Sequence, residues 1–313
     1  MFTTFIRIEL KLFQFFKNIF QKPEPPSEPR SIFVGLIGGV GDLVLAAPSI
    51  AALKKKYPQA SLCFGVGDAI FYATIKNDPH IDRFDTPFFY NVWKKWSRGA
   101  VERKKSREFD RVILLDNPDK DWWKEKKHLI DIYAEKCGVT LDSRRPIMYI
   151  NEDDKAEGDR LLRQAGFEYG DRLVVVSPEV RSKKEKKEWP HNQFAELIRR
   201  LKESKGVKII SFVSPKGPAD FPGAVTFRDP PIRAAAEVVR RAELFIGLDN
   251  GLTHIAAAFD VEILSVHIGF PIECCGVLSP HATLIAHEPF CNPDSISVDE
   301  VYVKAKTVLE KHA

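Results

Sequence analysis

The sequence is poor in cysteine and carries little excess charge of either sign. Its 313 residues include five cysteines, and no two of them stand in the C-x-x-C spacing, so neither a zinc ribbon nor a disulfide scaffold is indicated. Few and scattered cysteines are typical of a reducing compartment, and we predict a cytoplasmic protein. The formal net charge of +4 is too small for a protein whose partner is nucleic acid.

The chain also lacks a long uninterrupted apolar run at its N-terminus. Residues 2–20 are rich in phenylalanine, but charged residues interrupt them, so they predict neither a membrane-spanning helix nor a cleavable signal peptide. On a helical wheel the polar side chains form one narrow stripe. The stripe consists of Arg7, Lys11, Gln14 and Asn18. We predict an amphipathic helix that lies on a membrane surface, with packing on the protein body or on a partner as the alternative.

A proline-rich linker over residues 21–29 separates this helix from the rest of the chain. Beyond the linker, short apolar runs alternate with helical patterns, which predicts an α/β protein with parallel sheets. The length indicates two domains. We place the N-terminal helix and linker at residues 1–30, the first domain at 31–165 and the second at 166–313, with a terminal helix free to pack back on the first domain.

A glycine-rich turn follows the first predicted strand. Gly38 to Asp42 come directly after the apolar run 31–37. The turn does not match a dinucleotide-binding fingerprint, because Val44 stands where the third glycine is required and no acidic residue closes the next strand at the right distance. The carboxylate of Asp42 lies where open α/β sheets bind ligands. The alternative interpretation is a helix N-cap, a common role of aspartate.

Aromatic and basic residues alternate in the middle of the first half. They occur at 88–98, 103–107 and 122–127 and include Trp93, Trp96, Trp122 and Trp123. Such a segment is typical of contact with anionic lipid head groups, and single-stranded nucleic acid is a weaker alternative. A solvated face with ordinary aromatic packing remains open as well.

The stretch from Phe245 to Ala258 combines a buried strand, a tight polar turn and a helix of small residues. Gly247, Asn250 and Gly251 favour a sharp turn. The helix then begins near Thr253, and a helix N-terminus offers unpaired N–H donors and partial positive charge to a phosphate. An ordinary strand–helix connection would show the same pattern.

Three motifs, in this order along the chain, resemble the ADP-heptose:lipopolysaccharide heptosyltransferases, glycosyltransferase family nine. The first is Gly38-Gly39-Val40-Gly41-Asp42-Leu43 with Pro48. The second is Lys187-Glu188-Trp189-Pro190, similar to the K-x-W-P loop of the family. The third runs from Asp249 to Ala256 and is similar to the D-T-G-L-S-H-x-A signature. The resemblance covers residues 31–313 and leaves the N-terminal helix as an addition.

The resemblance implies a GT-B fold, in which two Rossmann-like domains face each other across a cleft, the acceptor binding on the first and the donor on the second. It implies an inverting, metal-independent transferase without a cofactor, which moves a sugar from a sugar nucleotide to a lipopolysaccharide-core or other lipid-linked acceptor at the inner face of the inner membrane. Asp42 would be the general base, and Lys187 would stabilise the leaving diphosphate. The residues implied on the donor side are Ser177, Lys183, Lys187, Asp249, Asn250, Gly251, Leu252 and His254, and those of the acceptor-side loop are Gly39, Val40 and Gly41.

The departures from the family pattern concern the donor. Residues 213–220 replace the loop that reads the nucleoside, and residues 267–276 replace a more regular loop after the last motif. Heptose from ADP-heptose is the donor that the resemblance favours. A glycosyltransferase with a different sugar nucleotide, and a paralogue that binds a nucleotide or glycan without transfer, remain as alternatives.

Overall fold

The computed structural model describes residues 26–67, 69–85, 98–115, 121–168, 170–181 and 184–311. The predicted amphipathic helix at 2–20, most of the aromatic segment at 88–98, and Lys183 lie outside these residues. Among the helices that are described, none is both long and apolar enough to cross a membrane.

In its described residues, the first half forms a parallel sheet of four strands in the order β3-β2-β1-β4. The strands are β1 (Ser31–Leu36), β2 (Ser61–Val66), β3 (Arg83–Asp85) and β4 (Arg111–Leu114). The helices of this half are α1 (Val40–Lys56), α2 (Ala69–Ile75), α3 (Arg98–Lys105) and α4 (Leu129–Cys137), and a short 3₁₀ turn covers Trp122–Glu125. Strands buried on both faces read as continuous apolar runs, as β1 does.

The second half is a parallel sheet of six strands in the order β10-β9-β8-β5-β6-β7. The strands are β5 (Arg172–Ser177), β6 (Val207–Val213), β7 (Ala224–Arg228), β8 (Leu244–Leu248), β9 (Glu262–His267) and β10 (Ala282–Ala286). The helices are α5 (Glu152–Gln164), α6 (Lys184–Lys187), α7 (His191–Leu201), α8 (Ile232–Arg240), α9 (Gly251–Ala257), α10 (Ile272–Cys275) and α11 (Val298–Lys311), and a 3₁₀ turn covers Pro293–Ser295.

Both sheets reverse their strand order at one point, and the two turns singled out by the sequence follow these points. In the first sheet the order reverses between β1 and β4, and the turn Gly38–Asp42 follows β1. In the second sheet β8 lies beside β5, and Asp249 and Asn250 come directly after β8. Open α/β sheets bind ligands in the crevice that opens at such a reversal.

Local sequence explains where several of the helices begin and end. Apolar residues of α7 recur at Phe194, Leu197, Ile198 and Leu201, and this face is buried. The side chain of Asn151 accepts a hydrogen bond from the Asp154 N–H at the start of α5. Helix α4 ends at Gly138, whose φ of 65° suits glycine.

The contacts of two helices differ from the expected division. Helix α5 falls within the predicted first domain, yet its Leu161 and Leu162 are buried with Ala234 and Val238 of α8 in the second half. The terminal helix α11 packs on the second half. Its Val301 and Leu309 pack in the core of the second sheet, together with Leu197 and Leu201 of α7.

Candidate functional site

Asp42 lies in the first turn of α1 and closes the glycine-rich turn. Its Oδ2 accepts a hydrogen bond of 2.7 Å from the Gly39 N–H. Gly39 is the N-cap residue, so Asp42 does not occupy the N-cap itself, as the alternative interpretation held, but accepts from it three residues later. A Cβ atom at Gly38 would lie 2.6 Å from the Asp42 Cβ atom, so the turn needs glycine for this close approach.

The second carboxylate oxygen of Asp42 is held by the first-half core. The hydroxyl of Tyr133 on α4 donates a hydrogen bond of 2.7 Å to Asp42 Oδ1. Tyr133 is fully buried, whereas Asp42 is only partly buried. The carboxylate is therefore oriented by two donors of the first half while it stays partly exposed.

The turn after β8 is built by Asn250, which is the N-cap of α9. Its Oδ1 accepts from the Thr253 N–H at 3.0 Å. Its Nδ2 donates to the Ser177 Oγ at 2.9 Å and to the Glu179 carbonyl at 2.8 Å. The amide of Asn250 thus joins the end of β5 to the start of α9, and Ser177 acts here by holding the turn.

The two glycine-containing turns meet across the cleft. A Cβ atom at Gly41 would lie 2.9 Å from Cδ2 of His254, and one at Gly251 would lie 2.8 Å from the Cβ atom of Val40. Because Gly41 and Gly251 have no side chains, the start of α1 and the start of α9 can approach closely. This contact brings the Asp42 turn of the first half to the Asp249 turn of the second.

Lys187 and Asp249 form a buried ion pair beside this contact. Lys187 Nζ lies 2.5 Å from Asp249 Oδ2, and both residues are 8% exposed. Burial alone would raise the pKa of Asp249, but the Lys187 ammonium and the nearby His254 imidazole hold it well below its usual range. Burial would likewise lower the pKa of Lys187, and Asp249, Cys275 and Asp42 together raise it instead. The lysine is therefore a cation and the aspartate an anion.

Other side chains of the second half enclose this pair. Lys187 Nζ lies over the Phe270 ring, 5.5 Å from the ring centroid, in a cation–π contact. His254 Nε2 lies 3.6 Å from Asp249 Oδ1, and the Cys275 thiol lies 3.5 Å from Asp249 Oδ2. A Cβ atom at Gly269 would lie 2.7 Å from Lys187 Cγ, so the backbone of the loop after β9 closes over the lysine stem.

That loop is anchored to the first half. His128, the N-cap of α4, accepts from the Ile130 N–H through Nδ1, so its Nε2–H donates to the Gly276 carbonyl at 2.9 Å. Burial lowers the pKa of His128 to about 4. Trp122 packs on Phe270 with ring centroids 5.2 Å apart. The Trp122–Trp123 part of the aromatic segment therefore packs between the halves.

A cavity of about 410 Å³ opens between the halves beside the paired turns. Its wall includes Val40 and Phe71 from the first half and Arg181, Asp229 and Ile232 from the second. Arg233 closes its floor, where it binds the buried Asp154 carboxylate and donates to the carbonyls of Ala73 and Tyr149. This volume accommodates a nucleoside-sized group.

The structure brings most of the predicted site residues to one cleft and adds others. Gly39 to Asp42, Lys187, Asp249 to Leu252 and His254 converge there, Ser177 supports them, and Lys183 lies outside the described residues. The sequence pattern did not single out Tyr133, Glu179, His267 or Cys275 as site residues. Glu179 comes shortly after the apolar run of β5 (Arg172–Ser177), a signal that could have marked it. Nothing in the local pattern around Tyr133 marks it.

Neither a protein-family model nor the sequence of a curated protein matches this chain. Solved structures do resemble it. A glycosyltransferase of family 9 from Veillonella parvula superposes with a TM-score of 0.72 at 18% identity, over 90% of this chain and 98% of its own. Escherichia coli ADP-heptose lipopolysaccharide heptosyltransferase II gives a TM-score of 0.66 at 16% identity, over 90% and 100% of the two chains.

A third similar structure is E. coli heptosyltransferase WaaC with ADP, at a TM-score of 0.61 and 15% identity over 90% and 100% of the two chains. Likeness at this level of identity establishes the fold. The chain has the GT-B fold that the resemblance implied, and the solved structures come from the family that its motifs resemble.

Proposed function

We propose that this protein is an inverting glycosyltransferase that moves a sugar from a sugar nucleotide to a lipid-linked acceptor. One observation carries the proposal. A carboxylate with both oxygens oriented, Asp42, comes from one half and meets a buried lysine–aspartate pair, Lys187 and Asp249, from the other half across a cleft. The first is a suitable proton acceptor and the second holds a positive charge for a leaving diphosphate.

Donor binding exchanges the partners of Lys187. In the structure the ammonium neutralises Asp249, and a diphosphate beside α9 would compete for it with a larger negative charge. The N–H groups in the first turn of α9, at Gly251 and Leu252, add donors for the same phosphates. Asp249 is then free to accept hydrogen bonds from hydroxyl groups of the donor sugar. Buried charges are retained at low cost only while each has a partner, so release and sugar binding are coupled.

The reaction is a single displacement. The acceptor hydroxyl loses its proton to Asp42 and its oxygen forms a bond to the anomeric carbon of the donor sugar. The bond from that carbon to the diphosphate oxygen breaks, and the nucleoside diphosphate leaves with the electron pair. General base catalysis contributes about 10²–10⁴-fold to such a step. Lys187 stabilises the charge on the leaving group, so the chemistry requires no metal ion and no cofactor.

ADP-heptose is the donor we favour, because the motifs resemble heptosyltransferases and two of the similar structures are named as such. We expect the acceptor to be a lipopolysaccharide core or another lipid-linked glycan. The protein would then work at the inner face of the inner membrane, with the predicted helix at residues 2–20 as its membrane contact.

A ligand screen followed by turnover assays tests this function. Melting temperatures are measured with ADP, GDP, UDP and CMP, since a ligand at 100 times its Kd stabilises the fold by about 2.7 kcal/mol. The stabilising nucleotide then defines the sugar nucleotides for assays of transfer. We expect ADP to stabilise most and ADP-heptose to be consumed in the presence of acceptor.

The same assays separate the alternatives. Stabilisation by a different nucleotide, with turnover of its sugar conjugate, would replace the donor but keep the reaction. Binding without turnover of any matching donor would establish the paralogue that binds without transfer, and it would remove Asp42 from the role of base. Stabilisation by none of the four nucleotides would contradict the proposal as a whole.

A further inference from the structure

Asp249 also belongs to a group of three buried side chains, with His267 and Cys275, whose types can ligate a metal ion. Asp249 follows β8, His267 ends β9, and Cys275 ends α10. One oxygen of Asp249, one ring nitrogen of His267 and the sulfur of Cys275 all lie within 4.8 Å of one another. All three residues are buried, at 8%, 3% and 5% exposure. Neighbouring parallel strands end at the same edge of a sheet, and α10 folds back over that edge.

Polar atoms at this place lack partners. Among the described residues, Nδ1 of His267 is buried without a hydrogen bond, and so is Nδ1 of the adjacent His254. The other ring nitrogen of His267 bonds the Phe270 carbonyl at 2.7 Å. Buried polar atoms in folded proteins are nearly always satisfied, so such exceptions call for a physical explanation. A bound cation would supply it for an imidazole that is fixed by a carbonyl through its other nitrogen, the usual arrangement of a metal-ligating histidine.

The spacing of the ligands suits a tetrahedral ion. Typical bonds from zinc are about 2.0 Å to oxygen and about 2.3 Å to sulfur, which places the two ligand atoms about 3.5 Å apart at a tetrahedral angle. Cys275 Sγ and Asp249 Oδ2 are 3.5 Å apart. These two ligand atoms therefore already stand at the separation that a shared ion requires.

The charges of the site also permit a divalent cation to replace Lys187 as the partner of Asp249. In the structure the Lys187 ammonium neutralises the Asp249 carboxylate. A divalent cation would release the thiol proton, and the resulting thiolate and carboxylate together would neutralise the ion. Lys187 would then leave Asp249 and face the cleft. The net charge of the buried site would stay near zero in both states.

We propose that Asp249, His267 and Cys275 form a binding site for one divalent cation of the zinc class, with an open fourth position. Carboxylate, imidazole and thiolate ligands together favour Zn²⁺ or Co²⁺ over Mg²⁺ or Ca²⁺. The site goes beyond the proposed sugar transfer, whose chemistry uses Lys187 and needs no metal. Cation binding competes with Lys187 for Asp249.

Cobalt titration of the purified full-length protein, after treatment with a chelator and without nucleotide, tests the site. A thiolate ligand gives Co²⁺ a near-ultraviolet charge-transfer band, and we expect this band to saturate at one ion per chain. Cys275→Ser is expected to lose the band. Cys274→Ser is the matched control, because the Cys274 thiol donates to the Trp123 carbonyl instead, and it is expected to keep the band.

Two further variants test the site independently of Cys275. His267→Gln is expected to weaken Co²⁺ binding by at least about tenfold, with the melting temperature of each variant recorded alongside. Lys187→Ala removes the competing ammonium and is expected to tighten binding. Absence of a band in the wild type, a band that survives in Cys275→Ser, or loss of the band in Cys274→Ser would each overturn the site. None of these results depends on nucleotide binding, so the proposed function is tested separately.

Discussion

The hydroxyl of Tyr133 donates a hydrogen bond of 2.7 Å to Oδ1 of Asp42, from a position 91 residues further along the chain. Tyr133 is buried in the core of the first half, so the direction of this donor is set by packing. The Gly39 N–H holds the other oxygen. The orientation of the proposed base therefore depends on the helix α4 as much as on its own turn.

We predict that Tyr133→Phe lowers transfer by about tenfold, since a hydrogen bond to a charged group contributes about 1.5–3 kcal/mol. The phenyl ring keeps the packing, so the affinity for the nucleotide should stay the same. Steady-state kinetics give kcat, and calorimetry gives the nucleotide Kd. Tyr57→Phe is the control, because the Tyr57 hydroxyl bonds Arg111 away from the cleft. An unchanged kcat in Tyr133→Phe would show that Tyr133 does not orient the base.

Replacement of the proposed base gives a larger effect. Asp42→Asn removes the proton acceptor and should lower kcat by about 10²–10⁴-fold, whereas donor binding on the opposite half should change little. The rate is measured with saturating donor and acceptor. Asp110→Asn serves as the comparison, because Asp110 bonds the Arg30 and Ser31 N–H groups at the surface. Turnover preserved in Asp42→Asn would exclude this residue as the base.

The Lys187–Asp249 pair predicts a coupled effect on stability and binding. Lys187→Met leaves Asp249 buried without its partner and should cost about 3–5 kcal/mol of stability. It should also weaken nucleoside diphosphate binding. The double variant Lys187→Met with Asp249→Asn should recover most of the stability but not the affinity. Chemical denaturation and calorimetry measure the two quantities. Full affinity in Lys187→Met would place the diphosphate elsewhere.

His128 makes stability depend on pH. Its pKa is lowered from 6.5 to about 4 in the folded protein by burial, so between these values the unfolded chain binds the extra proton. Above pH 6.5 His128 therefore does not reduce the free energy of unfolding. As the pH drops toward 4, the free energy of unfolding falls by about 3 kcal/mol in total.

The variant His128→Asn, which retains an N-cap side chain, should flatten this part of the pH profile in denaturant unfolding at pH 4.5 to 7.5. His281→Gln, on the surface of the second half, should keep the wild-type slope. An equally steep profile in His128→Asn would assign the acid sensitivity to other groups.

The N-terminal segment is predicted to bind membranes. Deletion of residues 1–29 should abolish sedimentation with vesicles that contain anionic lipid, while the melting temperature changes little, because the proline-rich linker separates this segment from the folded part. If the deletion variant still sediments with the vesicles, the membrane contact would be assigned instead to the aromatic segment around Trp93 and Trp96. A large drop in melting temperature would mean instead that the segment packs on the protein body.

The pattern of the chain was sufficient for the alternation of strands and helices and for the turns at Gly38–Asp42 and Asp249–Asn250. A buried parallel strand is a continuous apolar run, and a tight turn to a helix needs glycine and a capping residue, so both are written locally. Parallel strands place their carboxyl ends at one edge of the sheet, and for this reason the sequence alone assigns these turns to a ligand site. The role of Asp42 as a base and of Lys187 as a phosphate ligand remain predictions.

The tertiary structure decided which side chains share a space. The Tyr133–Asp42 hydrogen bond, the Lys187–Asp249 pair and the approach of His267 and Cys275 to that pair join residues that are distant in sequence. The same holds for α5, which packs on α8 in the second half. Periodicity fixes which face of an element is apolar but does not say which other face it meets. That choice depends on the packing of whole elements, so a sequence pattern alone determines the turns of this protein and the folded chain determines the environment of its charges.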